Sequence, residues 1–283
     1  MNTHAMRLPT GPMLRPWEKL AKLRDIAPLV HNVTNYVVMN NTANALLAIG
    51  ASPAMVHAVE EVEEFTGISG ALVINIGTLS PRWVEAMYLA AARAAAGGIP
   101  WVLDPVGAGA TRYRTDVAAA LVQLRPTVVR GNASEIMVLA GVTGAAGKGV
   151  DSAHRGTEAL DAERRLASRS GAIVAMTGEV DYVTDGERVV ELRNGHPLMA
   201  RVTGLGCTAS ALVGAFLTTG GDAMESTVAA ISVLGVAGEI AAEGAAGPGT
   251  LQLRLLDTLY SLDEATLTQW ARITEAAAPF RGA

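Results

Sequence analysis

Short apolar, β-branched runs alternate with Ala-rich stretches of helical period along most of the chain, the pattern of β-α units feeding a largely parallel sheet. The predicted strands are PLVHNVTN (28–35), SPAMV (52–56), ALVINIG (71–77), IPWVLDPVG (99–107), PTVVRGN (126–132) and GAIVAMTG (171–178). They are apolar almost without alternation, as strands covered on both faces must be. The clearest helix between them is PRWVEAMYLAAARAAAGG (81–98), with Pro81 in its first turn and Gly97 just past its end. Another is expected over 36–49, with Asn35 as its N-cap. In VEEVEEF (59–65), Val59, Val62 and Phe65 recur at helical spacing, so Glu60, Glu61, Glu63 and Glu64 form a solvated helix face. The pattern changes after Gly178, where DYVTDGERVVEL (181–192) predicts a hairpin about Asp185 and Gly186, and from Cys207 onward it is helical.

No Pro/Gly/Ser-rich linker divides the chain and no fixed-period repeat runs through it, so the 283 residues are expected to form one α/β domain, with 1–27 as an N-terminal extension or helix. Half the residues are apolar, 17% are charged and 4% are aromatic, so the core is expected to be built largely from Ala, Val, Leu and Ile, and disorder is not expected. A net charge of −5 leaves no cationic surplus for nucleic acid or an anionic membrane, which makes a small molecule the expected partner. Two long uncharged stretches, 26–59 and 202–221, are interrupted by Gly, Asn or Thr and are expected to be buried core rather than membrane spans. A single cysteine, Cys207, excludes an intrachain disulfide and a Cys-cluster zinc site, and no secretory signal is expected at the N-terminus; both fit a cytoplasmic protein.

Three segments carry candidate chemistry. In VTGLGCTASALVGAFL (202–217), Gly204 and Gly206 lead into a helix whose first turn offers unpaired N–H groups, an anion cradle. Cys207 sits where that field is expected to lower its thiol pKa from about 8.5; a small buried Cys after a glycine turn is the plainer reading. In DPVGAGATRYR (104–114), Asp104 ends an apolar strand, where packing gives no reason for a carboxylate; a loop cap is the alternative. In RGNASE (130–135), Arg130 supplies a planar cation suited to phosphate, while Asn132 and Glu135 stand in an N-x-x-E spacing that is also an ordinary capping box variant. Two carboxylates, an Arg and a glycine-lined helix start form the inventory of phosphoryl transfer with Mg²⁺. The Walker and dinucleotide fingerprints are both incomplete.

Taken together, HNVTNYVVMNNTANALLAIGASPAM, ALVINIGTL, LDPVGAGATRYR, RGNASEI, KGVDS, TGEVDYVTDG and VTGLGC resemble the hydroxyethylthiazole kinase family, a branch of the ribokinase-like fold, from about 28 to about 256. The resemblance implies ATP-dependent phosphorylation of 4-methyl-5-(2-hydroxyethyl)thiazole in thiamine salvage, with Mg²⁺, by a homotrimer whose sites lie at subunit interfaces. It implies that Asp104 and Glu135 organise Mg²⁺, that Arg130 meets the ATP phosphates and that Thr177 lies along the nucleotide. Gly204, Gly206 and Cys207 would border the reacting hydroxyl, with Asn35 and Met55 lining the thiazole pocket. Ribokinase relatives usually place an Asp base where this chain has Cys207. Rival readings are a kinase of another small alcohol, such as hydroxymethylpyrimidine or pyridoxal, an ADP-dependent lyase, or a sensor that binds without turnover. His31 is open between a substrate contact and a structural role, and Lys148 between phosphate and a mobile loop. The glycine-rich stretch 141–156 is expected to close over ATP.

Overall fold

The computed structural model describes residues 15–142 and 152–276. Its strands are β1 (Leu29–Val33), β2 (Ser52–Ala54), β3 (Ala71–Asn75), β4 (Trp101–Asp104), β5 (Val128–Asn132), β6 (Ile173–Thr177), β7 (Asp181–Thr184), β8 (Val189–Leu192) and β9 (Ile273–Ala276). They pair in one sheet, in the order β2-β1-β3-β4-β5-β6-β7-β8-β9. Pairings from β2 through β6 are parallel, and those from β6 to β9 are antiparallel. The expected hairpin is β7–β8, with Asp185 Oδ1 accepting from Glu187 and Arg188 N–H in the loop. From Cys207 onward the elements are helices except for β9, which covers the edge of β8.

The absence of alternation in the parallel strands has a direct structural cause. Val73, Val102, Val128 and Ala175 face one apolar cluster, while their neighbours Leu72, Ile74, Leu103, Val129 and Val174 face the other. Helices α3 (Val62–Ile68), α4 (Pro81–Gly97), α5 (Arg112–Val122), α6 (Ala133–Leu139) and α7 (Ser152–Ser170) cover this second face. The first is covered by α1 (Pro16–Ile26), α2 (Met39–Ile49), α8 (Leu205–Leu217), α9 (Ala223–Glu243), α10 (Pro248–Ser261) and α11 (Glu264–Trp270). Glu60, Glu61, Glu63 and Glu64 are exposed around the start of α3, whose Val62 is buried, as the VEEVEEF pattern predicts.

Helix α8 lies between the sheet and α9 and buries nearly every side chain, which is why 202–221 lacks charge. Helix α9 is long and apolar enough to cross a membrane, yet 83% of its most apolar window is buried in the fold, so it is a core helix. Helix α1 docks through Arg24, whose guanidinium donates to the carbonyls of Leu262, Leu259 and Tyr260 at 2.8, 3.0 and 2.9 Å. Those carbonyls close α10, where a cation complements the helix dipole.

Two positions give tests of the packing. A Cβ at Gly214 of α8 would sit 2.5 Å from Val73 Cγ2, so the helix meets β3 through bare backbone. Helix propensity favours Gly214→Ala by about 1 kcal/mol, whereas overpacking a core costs about 1–3 kcal/mol. We expect a lower urea midpoint, and positive coupling when Val73→Ala is added; a midpoint above the parent's would refute the close contact.

On α7, Glu163 is fully buried, with Oε1 accepting from Met176 N–H at 3.3 Å and Oε2 unpartnered. Burial pushes its pKa well above 4.5, against a smaller opposing effect of the Met176 bond. The folded state therefore holds a proton that the unfolded chain releases near pH 4.5, and stability falls as pH rises above that value. Glu163→Gln should match the parent at low pH and exceed it increasingly toward pH 8 in chemical denaturation. Parallel curves would show that Glu163 is not held protonated.

Candidate active site

The carboxyl ends of β1, β3, β4, β5 and β6 meet the start of α8, and the polar residues of the parallel strands collect there. At the centre is Asp104, the last residue of β4, with no solvent exposure. Its Oδ2 accepts from Asn75 Nδ2 at 2.7 Å and from Ser210 Oγ at 2.8 Å, and Arg130 Nη1 stands 3.9 Å away. Oδ1 has no partner. Burial raises the carboxyl to about 6, with Arg130 pulling the other way and Glu135 adding to the rise.

Arg130 leaves the sheet at β5 and is itself only 9% exposed. Its Nη2 donates to Thr177 Oγ1 at the end of β6, and its guanidinium lies across the first turn of α8. Any side chain at Gly206 would collide with it, since a Cβ there would be 2.7 Å from Nη1. Gly204 caps α8 at φ +83°, where a Cβ would be 2.6 Å from Val38 Cγ1, and no side chain caps this terminus. The opening N–H groups of α8 are therefore left for a ligand.

Glu135 has both oxygens engaged. Oε2 accepts from Asn132 N–H at 2.8 Å, completing the capping box of α6, and Oε1 accepts from Gly107 N–H at 2.8 Å. The capping and metal readings of N-x-x-E are thus compatible, because each oxygen keeps a second lone pair. Among the described residues, no group of three or more His, Cys, Asp or Glu forms a protein-only metal cage. The donor set nevertheless fits Mg²⁺, which takes one or two carboxylates and keeps waters and phosphate oxygens. Asp104 Oδ1, buried and unpartnered, is the atom of this set that such an ion would satisfy.

Cys207 joins this network from α8. Asn35 Nδ2 donates to Asn75 Oδ1 at 2.8 Å and approaches Cys207 Sγ at 3.6 Å, so Asn35, Asn75, Asp104 and Cys207 form one polar chain. The sequence expectations at both ends require correction. Asn35 does not cap α2, which begins at Met39 with Val38 before it; its Oδ1 accepts from Val37 N–H instead. The Cys207 thiol is pushed up to about 11 rather than down, first by burial and then by Asp104, effects that outweigh the helix start. At pH 7 only about 10⁻⁴ of it is thiolate.

Met55 lies just past β2 at the sheet edge, partly buried, and makes no polar contact with this chain of residues. His31 is fully buried, its Nδ1 at 3.0 Å from Thr66 Oγ1 and Nε2 at 2.8 Å from Val56 O, with burial lowering its pKa. Both ring nitrogens are satisfied by the fold, which settles His31 as structural. Lys148 and most of the 141–156 stretch lie outside the described residues.

Beside Arg130 and Thr177 opens a cavity of about 920 Å³, running over Gly204 and Gly206 to Asn194, Met199, Ile231 and Leu234. Asp181 also lines it; burial raises this carboxyl to about 6, against the Gly178 N–H bond and Arg130. Neither the cavity's far wall nor Asn75 and Ser210 figured among the sequence candidates. Asn75 could have been found as a polar residue inside a doubly covered strand.

The model of the hydroxyethylthiazole kinase family matches residues 20–265, beginning inside α1 and thus earlier than the motifs alone. A relative named hydroxyethylthiazole kinase from Syntrophus aciditrophicus (strain SB) is 54% identical over 258 residues, covering 91% of this chain and 96% of its own. The structure of hydroxyethylthiazole kinase protein from Pyrococcus horikoshii OT3 superposes with a TM-score of 0.86 at 43% identity, covering 93% of this chain and 99% of the other. A ribokinase-like superfamily protein from Enterococcus faecalis V583 shares the fold at a TM-score of 0.61 and 12% identity, covering 89% of this chain and 90% of its own. The expected ribokinase-like fold is thus present, and the chain belongs to the hydroxyethylthiazole kinase family.

Proposed function

We propose that this protein transfers the γ-phosphoryl group of ATP to the hydroxyl of 4-methyl-5-(2-hydroxyethyl)thiazole, a step of thiamine salvage. The observation that carries the reading is the meeting of Cys207 and Asn35 with Asp104 and Arg130 at an uncapped helix start beside a cavity of about 920 Å³. The nucleotide occupies the cavity, with its phosphates toward Arg130, Thr177 and the first N–H groups of α8. The alcohol lies on the other side of α8, against Cys207 and Asn35, with Met55 farther out. Asp104 and Glu135 would hold Mg²⁺ together with water and phosphate oxygens. When bound, the ion neutralises charge on the transferring phosphate.

Within the chain the work is positional and electrostatic. Arg130 and the opening amides of α8 face the charge that develops in transfer. Asn35 is fixed through Asn75, so it orients the alcohol without rearranging. Cys207 is a neutral thiol that borders the hydroxyl. A loose phosphoryl-transfer transition state asks little of nucleophile deprotonation, so the TGLGC backbone contributes at least as much as the sulfur.

We further propose a cytoplasmic homotrimer with the alcohol sites at subunit interfaces. Tyr36 and Val37, which follow Asn35 directly, are 65% and 64% exposed, apolar surface that a second copy would cover. Light scattering on the purified chain should give three times the 283-residue mass, and a monomer at micromolar concentration would exclude this arrangement.

With Mg²⁺-ATP and hydroxyethylthiazole, coupled ADP release and thiazole phosphate formation should be measurable, and Asp104→Ala should reduce kcat by about 10³-fold or more. A folded parent with no turnover would reject the reading. Cys207→Ala should lose less than about 10⁴-fold, the upper range of general-base help; a greater loss with binding intact would make the sulfur dominant. With the thiol near 11, iodoacetamide should label Cys207 at pH 8 about 10²-fold more slowly than a free cysteine. Labelling at the free-cysteine rate would contradict the neutral thiol.

A further inference from the structure

Arg114 belongs to the segment DPVGAGATRYR but has no part in the site as described above. It stands in the first turn of α5, where Thr111 Oγ1 accepts its backbone N–H at 3.3 Å and fixes its origin. From there the side chain reaches back toward the ends of two strands. Nη1 donates to Ile76 O at 2.7 Å and to Val106 O at 3.0 Å, and Nη2 donates to Gly77 O at 2.8 Å. Among the described residues, no carboxylate forms an ion pair with it. Its charge is directed at backbone carbonyls alone.

These carbonyls belong to the two loops that continue β3 and β4. Ile76 and Gly77 follow Asn75, and Gly77 N–H donates back to Asn75 Oδ1 at 2.9 Å. Gly77 also packs on Asn35, since a Cβ there would be 2.5 Å from Asn35 Nδ2. Val106 and Gly107 follow Asp104, and Gly107 N–H is the group that holds Glu135 Oε1. One loop therefore sets the pair that faces the alcohol, and the other sets the carboxylates on the phosphate side. Three converging carbonyl dipoles repel one another unless a cation lies between them, and a planar guanidinium can serve all three at once.

We propose that Arg114 is a positioning residue that clamps the β3 and β4 loops together and so fixes the alcohol half of the site against the phosphoryl half. The proposal rests on the kinase reading for its kinetic consequence, but not for the clamp itself. Because the clamp sets the relation between two bound partners rather than the affinity for either, its loss should appear in kcat. Arg114→Ala should lower kcat by about 10²-fold, with KM for ATP and for the alcohol changed by less than about 5-fold. Arg114→Lys, a point donor without the fork, should recover only part of this loss.

Guanidinium ion at millimolar concentration should restore kcat at least about 10-fold in Arg114→Ala, and leave the parent and Asp104→Ala unimproved. A variant that is merely less stable would not be rescued by a denaturant. A kcat within about 3-fold of the parent, or a loss that guanidinium does not reverse in a folded variant, would overturn the proposal. Amide hydrogen exchange tests the clamp without turnover: Gly77 and Gly107 should exchange faster in Arg114→Ala, with α9 unchanged. Unchanged exchange at both amides overturns the clamp. Faster exchange in a protein whose parent shows no thiazole phosphorylation keeps the clamp and rejects the kinase reading.

Discussion

A carboxylate withdrawn from water must be compensated by fixed donors or give up its charge, and Asp104 stands at that boundary, raised to about 6 with no exposure. Its compensation organises the site. Asn75 and Ser210 both donate to one oxygen, which ties β3 and α8 to β4 and leaves the other oxygen open. Arg130 supplies the compensating charge only by lying over the start of α8, and it can lie there only because Gly206 has no side chain. A second hold on Arg130 comes from Thr177, so the end of β6 is also drawn in. Removing a donor would leave an uncompensated buried charge, which costs far more than an ordinary hydrogen bond contributes.

The same logic governs α8. Three close approaches of α8 and its cap are made by glycines: Gly204 against Val38, Gly206 beneath Arg130 and Gly214 on Val73. Glycines weaken a helix by up to about 1 kcal/mol each relative to Ala. Burial compensates, because nearly every other side chain from Leu205 to Leu217 is packed between the sheet and α9. The uncharged stretch and the exposed helix start are therefore two parts of one arrangement, in which packing pins the helix and leaves its first amides free.

Much of this was legible in the sequence because the physics is local. The two-faced strands announced themselves by unbroken apolar runs, and Asp104 and Arg130 by standing where apolar strands end. What escaped is tertiary. Ser210 on a buried helix looks like any small residue, and the wall formed by Asn194, Met199, Ile231 and Leu234 unites a post-hairpin segment with a distant helix. Asn35 offered a local capping role that lost to a bond with Asn75 across the sheet. The Cys207 expectation failed for the same reason: a helix start favours thiolate, but burial and a carboxylate from another strand favour thiol more strongly. The strand β9 gave no signal of its own, because it completes an edge that only the folded hairpin creates.

That reversal bears on what a cysteine, rather than a carboxylate, contributes at this position. Asp104 and Glu135 already concentrate negative charge here, enough that Glu135 raises Asp104 and Asp104 raises Cys207. A carboxylate at 207 would join them without a second Arg among the contacts of Asp104 to offset it. A thiol of about 11 adds no charge at neutral pH and, on the proposed reading, still presents a polarisable atom to the hydroxyl. What it gives up is a strong base, and the loose transition state of phosphoryl transfer makes that loss modest beside the charge that, on the proposed reading, Arg130 and the α8 amides would stabilise. On the proposed assignment, the site places its electrostatic weight on the phosphoryl side and leaves the alcohol side to neutral groups, with Asn35 held in position by Asn75.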